Sequence, residues 1–237
     1  MIGPITDFPY LLEQVSGHMY PTGDLPELNG VFFEARGSSL YSVATDRHTL
    51  AVARRRLESG PSEPWGVLVG GQALKSLRAF ARFNRRIPLM LEHRAGMCAD
   101  ALAVRADGQT LEVPGGDLPL TKPWAGGMWR RLLTDALGTT PDLRQEVCLN
   151  PTLLARWGKS GGAARNEPLT VWGSGVGKPL VVACGEDFLG MQMPIRPGQG
   201  ASPRRDVLAH WDDLTPHPVA GGSRIAANVG RIAAGAA

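Results

Sequence analysis

The chain of 237 residues is long enough for one large domain or two modest ones, and 43% hydrophobic against 20% charged residues is the balance of a folded globular protein. No run approaches the roughly 18 apolar residues of a membrane-spanning helix, and the N-terminal MIGPITDFPYLLEQV places no basic stretch ahead of an apolar core, so a soluble cytoplasmic protein with no membrane partner is expected. Three scattered cysteines, Cys98, Cys148 and Cys184, exclude a disulfide framework and a structural zinc, and each is expected as a small buried residue.

The net charge of +3 conceals an uneven distribution. Residues 1–35 carry five acids and no base, and residues 36–105 carry twelve bases and five acids. The remainder is nearly balanced, so the basic excess lies in one region, where a polyanion can be met.

In chain order, Leu11, Leu12, Val15 and Met19 form one helical face, and NGVFFEAR, SLYSVAT and HTLAVARRRL then read as three strands. After SGPSEP, WGVLV reads as a strand, Gln72 to Arg86 as a helix, and the following apolar stretches as strands broken at Gly-containing turns. This second unit recurs. With a constant offset of 80 and no gap, residues 67–114 align with 147–194, matching Val67 with Val147, Leu74 with Leu154, Leu77 with Trp157, Leu91 with Val171 and Pro114 with Pro194. The unit is strand, helix, three strands, and EVCL is its expected opening strand in the second copy. Asn150 is the expected N-cap of that copy's helix, with Pro151 at the first helical position, where a missing N–H costs nothing.

Two units make a full domain over 4–123. GMWRRLLTDALG predicts a helix stopping at Gly138, inside a second domain, 126–196, that is short by about three strands. Residues 197–237 are a Gly/Ala/Pro-rich tail, expected to be flexible, with a helical turn near 224–233.

Chemistry concentrates on the Gln72–Arg86 helix. At 100° per residue its bases Lys75, Arg78, Arg82, Arg85 and Arg86 fall within an arc of about 100° that no acid interrupts. Leu74, Leu77, Phe80 and Ala81 take the other side, so the basic face points outward, where it can meet DNA phosphates as counterions leave. A solvated helix face is the plainer reading, but such faces usually carry both signs. Arg156 and Lys159 on the helix from Pro151, and Arg130 and Arg131 on the one before it, add DNA-facing candidates. Such contacts position a protein without reading bases.

GSGVGKPL at 173–180 lacks the first Gly and the Ser or Thr of a phosphate-binding loop, and reads as a hairpin loop between PLTVW and LVVAC. The five histidines show no metal spacing, and no nucleophile motif is present, so neither cofactor nor catalysis is expected.

The segment Leu40-Tyr-Ser-Val-Ala-Thr-Asp-Arg-His-Thr-Leu-Ala51 resembles the ATDGHRLA signature of bacterial sliding clamps, the beta subunit of DNA polymerase III. Asp187-Phe-Leu-Gly-Met-Gln-Met-Pro-Ile-Arg196 is similar to the C-terminal strand of that family, and VLVGGQALKSL and VCLNPTLLARW stand where it places a strand and a ring-lining helix. The resemblance covers about 190 residues. It implies an α+β DNA clamp fold of repeated strand-helix-three-strand units, with helices on one face of antiparallel sheets. It implies that the basic helix stripe faces duplex DNA. Polymerases and repair proteins would dock through a short linear peptide, in a pocket with Thr45, Arg47, His48 and Leu50 on one wall and Met191, Met193, Pro194 and Arg196 on the other. Methionine suits such a pocket because its flexible thioether fits several partner side chains, although ordinary core packing is the plainer role. Arg47 replaces the family Gly, and Thr49 an Arg. Family rings close with six full domains, whereas this chain supplies one full and one shortened. The resemblance therefore leaves two readings. One is a non-catalytic, oligomeric DNA processivity or tethering factor; the other is a monomeric clamp-derived adaptor or competitor that binds clamp-binding peptides and encircles nothing.

Overall fold

The computed structural model describes residues 1–117, 124, 127–138, 147–162, 167–173, 175 and 177–195. The first unit runs through β1 (Ile2–Ile5), α1 (Phe8–Ser16), β2 (Gly30–Arg36), β3 (Ser39–Thr45) and β4 (Thr49–Arg56). The second repeats it with β5 (Trp65–Gly70), α2 (Gly71–Phe83), β6 (Leu89–Arg94), β7 (Ala99–Ala106) and β8 (Gln109–Asp117). There follow α3 (Met128–Leu137), α4 (Pro151–Trp157) with a π-turn over Gly158–Gly162, and β9 (Leu169–Gly173), β10 (Leu180–Cys184) and β11 (Phe188–Gln192).

The units exchange strands. One antiparallel sheet has the order β1-β6-β7-β8 and the other β5-β2-β3-β4-β11-β10-β9, so each sheet combines the first strand of one unit with the last three of the other. The third, incomplete copy adds its three strands to the second sheet through β4 and β11, with Leu50 opposite Met191 and Ala53 opposite Phe188. The hairpin expected at 173–180 joins β9 to β10, with Gly177 at φ 65° in its loop.

The seven-stranded sheet is buried on both faces, which explains why β2 to β4 read as nearly unbroken apolar runs. On the inner face Val31, Phe33, Ala51, Val67, Val69, Val182 and Phe188 meet α1 (Phe8, Leu11, Leu12, Val15), α2 (Leu74, Leu77, Ala81) and Trp157 of α4, with the four-stranded sheet closing the same core. On the outer face Phe32, Val43, Leu50, Val52, Leu68, Val181 and Met191 form a second core with Trp124 and with Trp129, Leu133 and Ala136 of α3. Full burial of a side chain the size of Leu133 contributes roughly 1.5–3 kcal/mol.

Three expectations are corrected. The EVCL strand is absent from Val147 to Asn150: its counterpart β5 is held by β2 of the companion unit, with Val67 opposite Phe33, and among the described residues the third copy has no companion unit to lend such a strand. The α2 helix stops at Phe83 rather than Arg86: the Asn84 side-chain amide donates to Phe80 O at 3.1 Å, and the N–H groups of Arg85 and Ile87 turn to carbonyls three residues back, on Arg82 and Asn84. Of the cysteines only Cys184 is buried; Cys98 is exposed and Cys148 half-buried. The tail at 197–237 and its expected turn near 224–233 lie outside the described residues.

Candidate functional site

The bases of α2 follow from its packing. Burial of Leu74, Leu77 and Ala81 leaves Lys75, Arg78 and Arg82 on the opposite side, and Arg85 and Arg86, past the Asn84 cap, are exposed. Asn150 starts α4 as expected, its Oδ1 accepting from the N–H groups of Thr152 at 2.9 Å and Leu153 at 3.4 Å. Trp157 anchors that helix in the inner core, so Arg156 and Lys159 emerge on the same side of the sheet as α2. Between the three helices runs an open groove of about 860 Å³ lined by Tyr10 and Glu13 from α1, Arg78 and Arg82 from α2, and Arg156 and Lys159. Four bases thus face one carboxylate. Arg82 reaches Glu13 at 3.1 Å, and Arg156 is turned onto Asp46 at 2.5 Å. Burial, and then the charge of neighbouring Arg82, push the Arg78 guanidinium below its ordinary pKa against the opposing pull of Glu13.

Arg130 and Arg131 do not join this group. Glu34 and Phe32 alternate with the inward-facing Phe33 and Ala35 on β2, and α3 sits on their side, so both arginines lie on the outer face of the sheet. Arg130 is structural: it reaches the buried carboxylate of Glu34 at 2.6 Å and lies over the rings of Trp129 and Tyr41, at 4.0 and 5.0 Å. The arc reading finds which bases share a helix face. It does not find which side of a sheet the helix takes.

The two end motifs do meet. Thr45 lies opposite Leu50, Leu50 opposite Met191, and Met193 N–H donates to His48 O at 2.8 Å. The intervening turn is built by Asp46, whose Oδ1 accepts from the N–H groups of His48 (3.0 Å) and Thr49 (2.7 Å) and from the Thr49 hydroxyl (2.9 Å). Burial pushes the Asp46 carboxyl up, but the hydrogen bonds from Thr49 and Arg156 outweigh it and hold the group below the usual carboxylate range. Arg47 takes φ 76°, the left-handed conformation that suits the glycine it replaces. Where the resemblance implies a pocket, its floor is closed, because Leu50 and Met191 are buried in the second core with Trp129, Leu133 and Ala136. The rim is open: Arg47, His48 and Met193 are exposed, and Thr45 and Pro194 are half-buried. Arg196 lies outside the described residues.

A buried set unmarked by any motif joins the groove to this turn. His18 stacks on Trp157 with ring centroids 4.3 Å apart and shares a 2.7 Å hydrogen bond with Ser160, while Trp157 Nε1 donates to Gln192 Oε1 at 2.5 Å. Burial, and then nearby Arg156, lower the His18 pKa to about 4 against the opposing pull of Asp46, so the ring is neutral at pH 7. Among the described residues no group of three or more His, Cys, Asp or Glu is placed to hold a metal ion. No described helix is long and apolar enough to cross a membrane.

No protein-family model and no curated protein matches the sequence. Solved structures do match. The DNA polymerase sliding clamp of Bacillus subtilis is similar with a TM-score of 0.58 and 15% identity, over 82% of this chain and 64% of the clamp. The DNA polymerase beta subunit of Streptococcus pyogenes gives 0.56 and 16%, over 79% and 63%. The DNA polymerase III beta subunit of Thermotoga maritima gives 0.57 and 16%, over the same shares, 79% and 63%. The chain therefore has the sliding-clamp fold. It is a shortened form of it, spanning less than two thirds of the length of these three clamps.

Proposed function

We propose that the protein is a non-catalytic, sliding-clamp-like tether that holds duplex DNA without sequence preference along its helix face. The observation that carries this reading is the convergence of Arg78 and Arg82 from α2 and Lys159 from the turn after α4 on one open groove, beside Arg156, which Asp46 holds. Lys75, Arg85 and Arg86 extend the basic surface beside it. Phosphates entering the groove release their counterions and relieve the crowding of Arg78 by Arg82. Polymerase or repair partners carrying a clamp-binding peptide would engage the exposed rim formed by Thr45, His48 and Met193. The test is titration of a labelled random-sequence duplex across a salt series. Affinity should fall steeply with salt, and a Lys75/Arg78/Arg82 to Ala variant should bind at least tenfold more weakly at low salt. Equal binding by that variant would remove the reading.

The second reading, a monomeric adaptor that encircles nothing, is favoured by one specific feature. The third copy lacks its companion unit among the described residues, which therefore hold neither the second four-stranded sheet of a further full domain nor the edges it would offer to a neighbouring chain. On that reading the chain stays at 25.3 kDa in solution and binds peptide but not DNA.

A further inference from the structure

Equivalent residues of the internal repeat have unequal surroundings. Leu74, Leu91 and Val67 are 0%, 0% and 1% exposed, whereas their counterparts at the 80-residue offset, Leu154, Val171 and Val147, are 49%, 44% and 37% exposed. The cause lies in what covers the earlier copy. Strand β1 pairs with β6, Ile2 opposite Leu91 and Ile5 opposite Leu89; α1 shares the inner core with α2; and β2 covers β5, with Phe33 opposite Val67. The later copy has α4 and β9 to β11, but among the described residues no strand lies beyond β9. Among the described residues no strand pairs with the β9 edge of the seven-stranded sheet, and between α4 and β9 opens a cleft of about 260 Å³ lined by Leu149, Leu154, Trp157, Leu169, Val171 and Leu180.

We propose that this cleft and the β9 edge receive a β-strand followed by an amphipathic helix from a different polypeptide, seated as β1 and α1 are seated on β6 and α2. The form of the occupant is given by the repeat itself. Strand addition supplies the missing backbone partners of β9, and the helix covers Leu154.

The described elements of the chain do not supply it, and coverage of β9 by residues 197–237 of the same chain is an outcome of the test below. Ile2, Ile5, Phe8, Leu11, Leu12 and Val15 of β1 and α1 are buried in the inner core, as are Val67, Val69, Leu74 and Leu77 of β5 and α2, so a second copy has no free strand-helix segment to lend. The segment 139–146 between α3 and α4 holds eight residues, fewer than the 15 of Ile2–Ser16.

The probe is a labelled peptide of residues 1–17 of this chain, MIGPITDFPYLLEQVSG, titrated with the full-length protein while amide exchange is followed by mass spectrometry. In the protein alone the outward-facing amides of β9 are expected to exchange at least 100-fold faster than those of β6. Saturating peptide should slow them at least tenfold. Leu154→Asp and Val171→Asp, both at exposed positions that leave the fold intact, should each weaken peptide binding at least tenfold. The proposal is overturned if β9 is already as protected as β6, which would mean that the chain covers its own edge. It is also overturned if the peptide leaves β9 exchange unchanged or binds both variants normally. A concentration-dependent dimer dissolved by Leu154→Asp would make a second copy the occupant and overturn it as well.

Discussion

The seven-stranded sheet carries arginines over both faces, and the two sets do opposite work. On the inner side Arg78 and Arg82 stand at the open mouth of a groove, crowded and poorly neutralised. On the outer side Arg130 is spent inside the protein, between the Glu34 carboxylate and two aromatic rings. Residue type and helical spacing are alike in the two places. What separates Arg78 and Arg82 from Arg130 is the buried carboxylate beneath the helix, which on the inner side holds only Arg156, through Asp46.

The largest expected effect breaks the outer side. Arg130→Ala leaves the carboxylate of Glu34, 6% exposed, without its cation, and the loss of one partner of a buried pair costs about 3–5 kcal/mol. Chemical denaturation should show that loss, while the salt slope of DNA binding stays that of the parent. If stability were unchanged and DNA affinity reduced, the assignment of the two faces would be reversed.

Acid sharpens the inner side. His18 has a folded pKa of about 4 against the ordinary 6.5, so between those values the unfolded chain binds the proton that the folded chain refuses. Stability from this group is complete above pH 6.5 and declines as pH falls toward 4, by at most about 3 kcal/mol. Asp46, held below the usual carboxylate range, adds a loss at still lower pH. A His18→Phe variant should flatten the pH 4–6.5 part of the stability profile; an unchanged profile would exclude His18 as its source.

A smaller effect concerns the floor beneath α3. Leu133→Ala removes an anchor over Leu50 and Met191 and should cost about 2–3 kcal/mol. If α3 shields the pocket floor, this variant should also bind a clamp-binding peptide several-fold more tightly than the parent in a fluorescence titration. The smallest effect belongs to Arg47. Replacing it with Gly at φ 76° relieves about 1 kcal/mol of left-handed strain, partly offset by the freer unfolded chain, and the melting temperature should rise by a few degrees or less.

Much of this was legible in residue order. The strands β2 to β4 stand where NGVFFEAR, SLYSVAT and HTLAVARRRL place them, Asn150 caps α4, and the repeat locates β9 to β11. The meeting of Thr45–Leu50 with Met191–Met193 came from the resemblance rather than from periodicity. The strand expected before Asn150 failed because strand propensity needs a neighbour to pair with, and no companion unit among the described residues supplies one as β2 does for β5. The face taken by α3 was invisible, since Trp129 and Leu133 report only that one side is buried. The Arg156–Asp46 pair links residues 110 apart in sequence, a contact that no local pattern encodes. His18 on Trp157 was hidden for the same reason.

The central claim is that one face of the sheet, and not the other, meets DNA. Matched charge deletions test it most directly: Arg78→Ala with Arg82→Ala against Arg131→Ala, each compared with the parent on one random-sequence duplex across a salt series. The account predicts that the groove variant loses affinity and that its log K against log salt slope becomes shallower by roughly 2, while Arg131→Ala keeps the parent slope. Equal slopes for all three proteins, or a loss confined to Arg131→Ala, would contradict it.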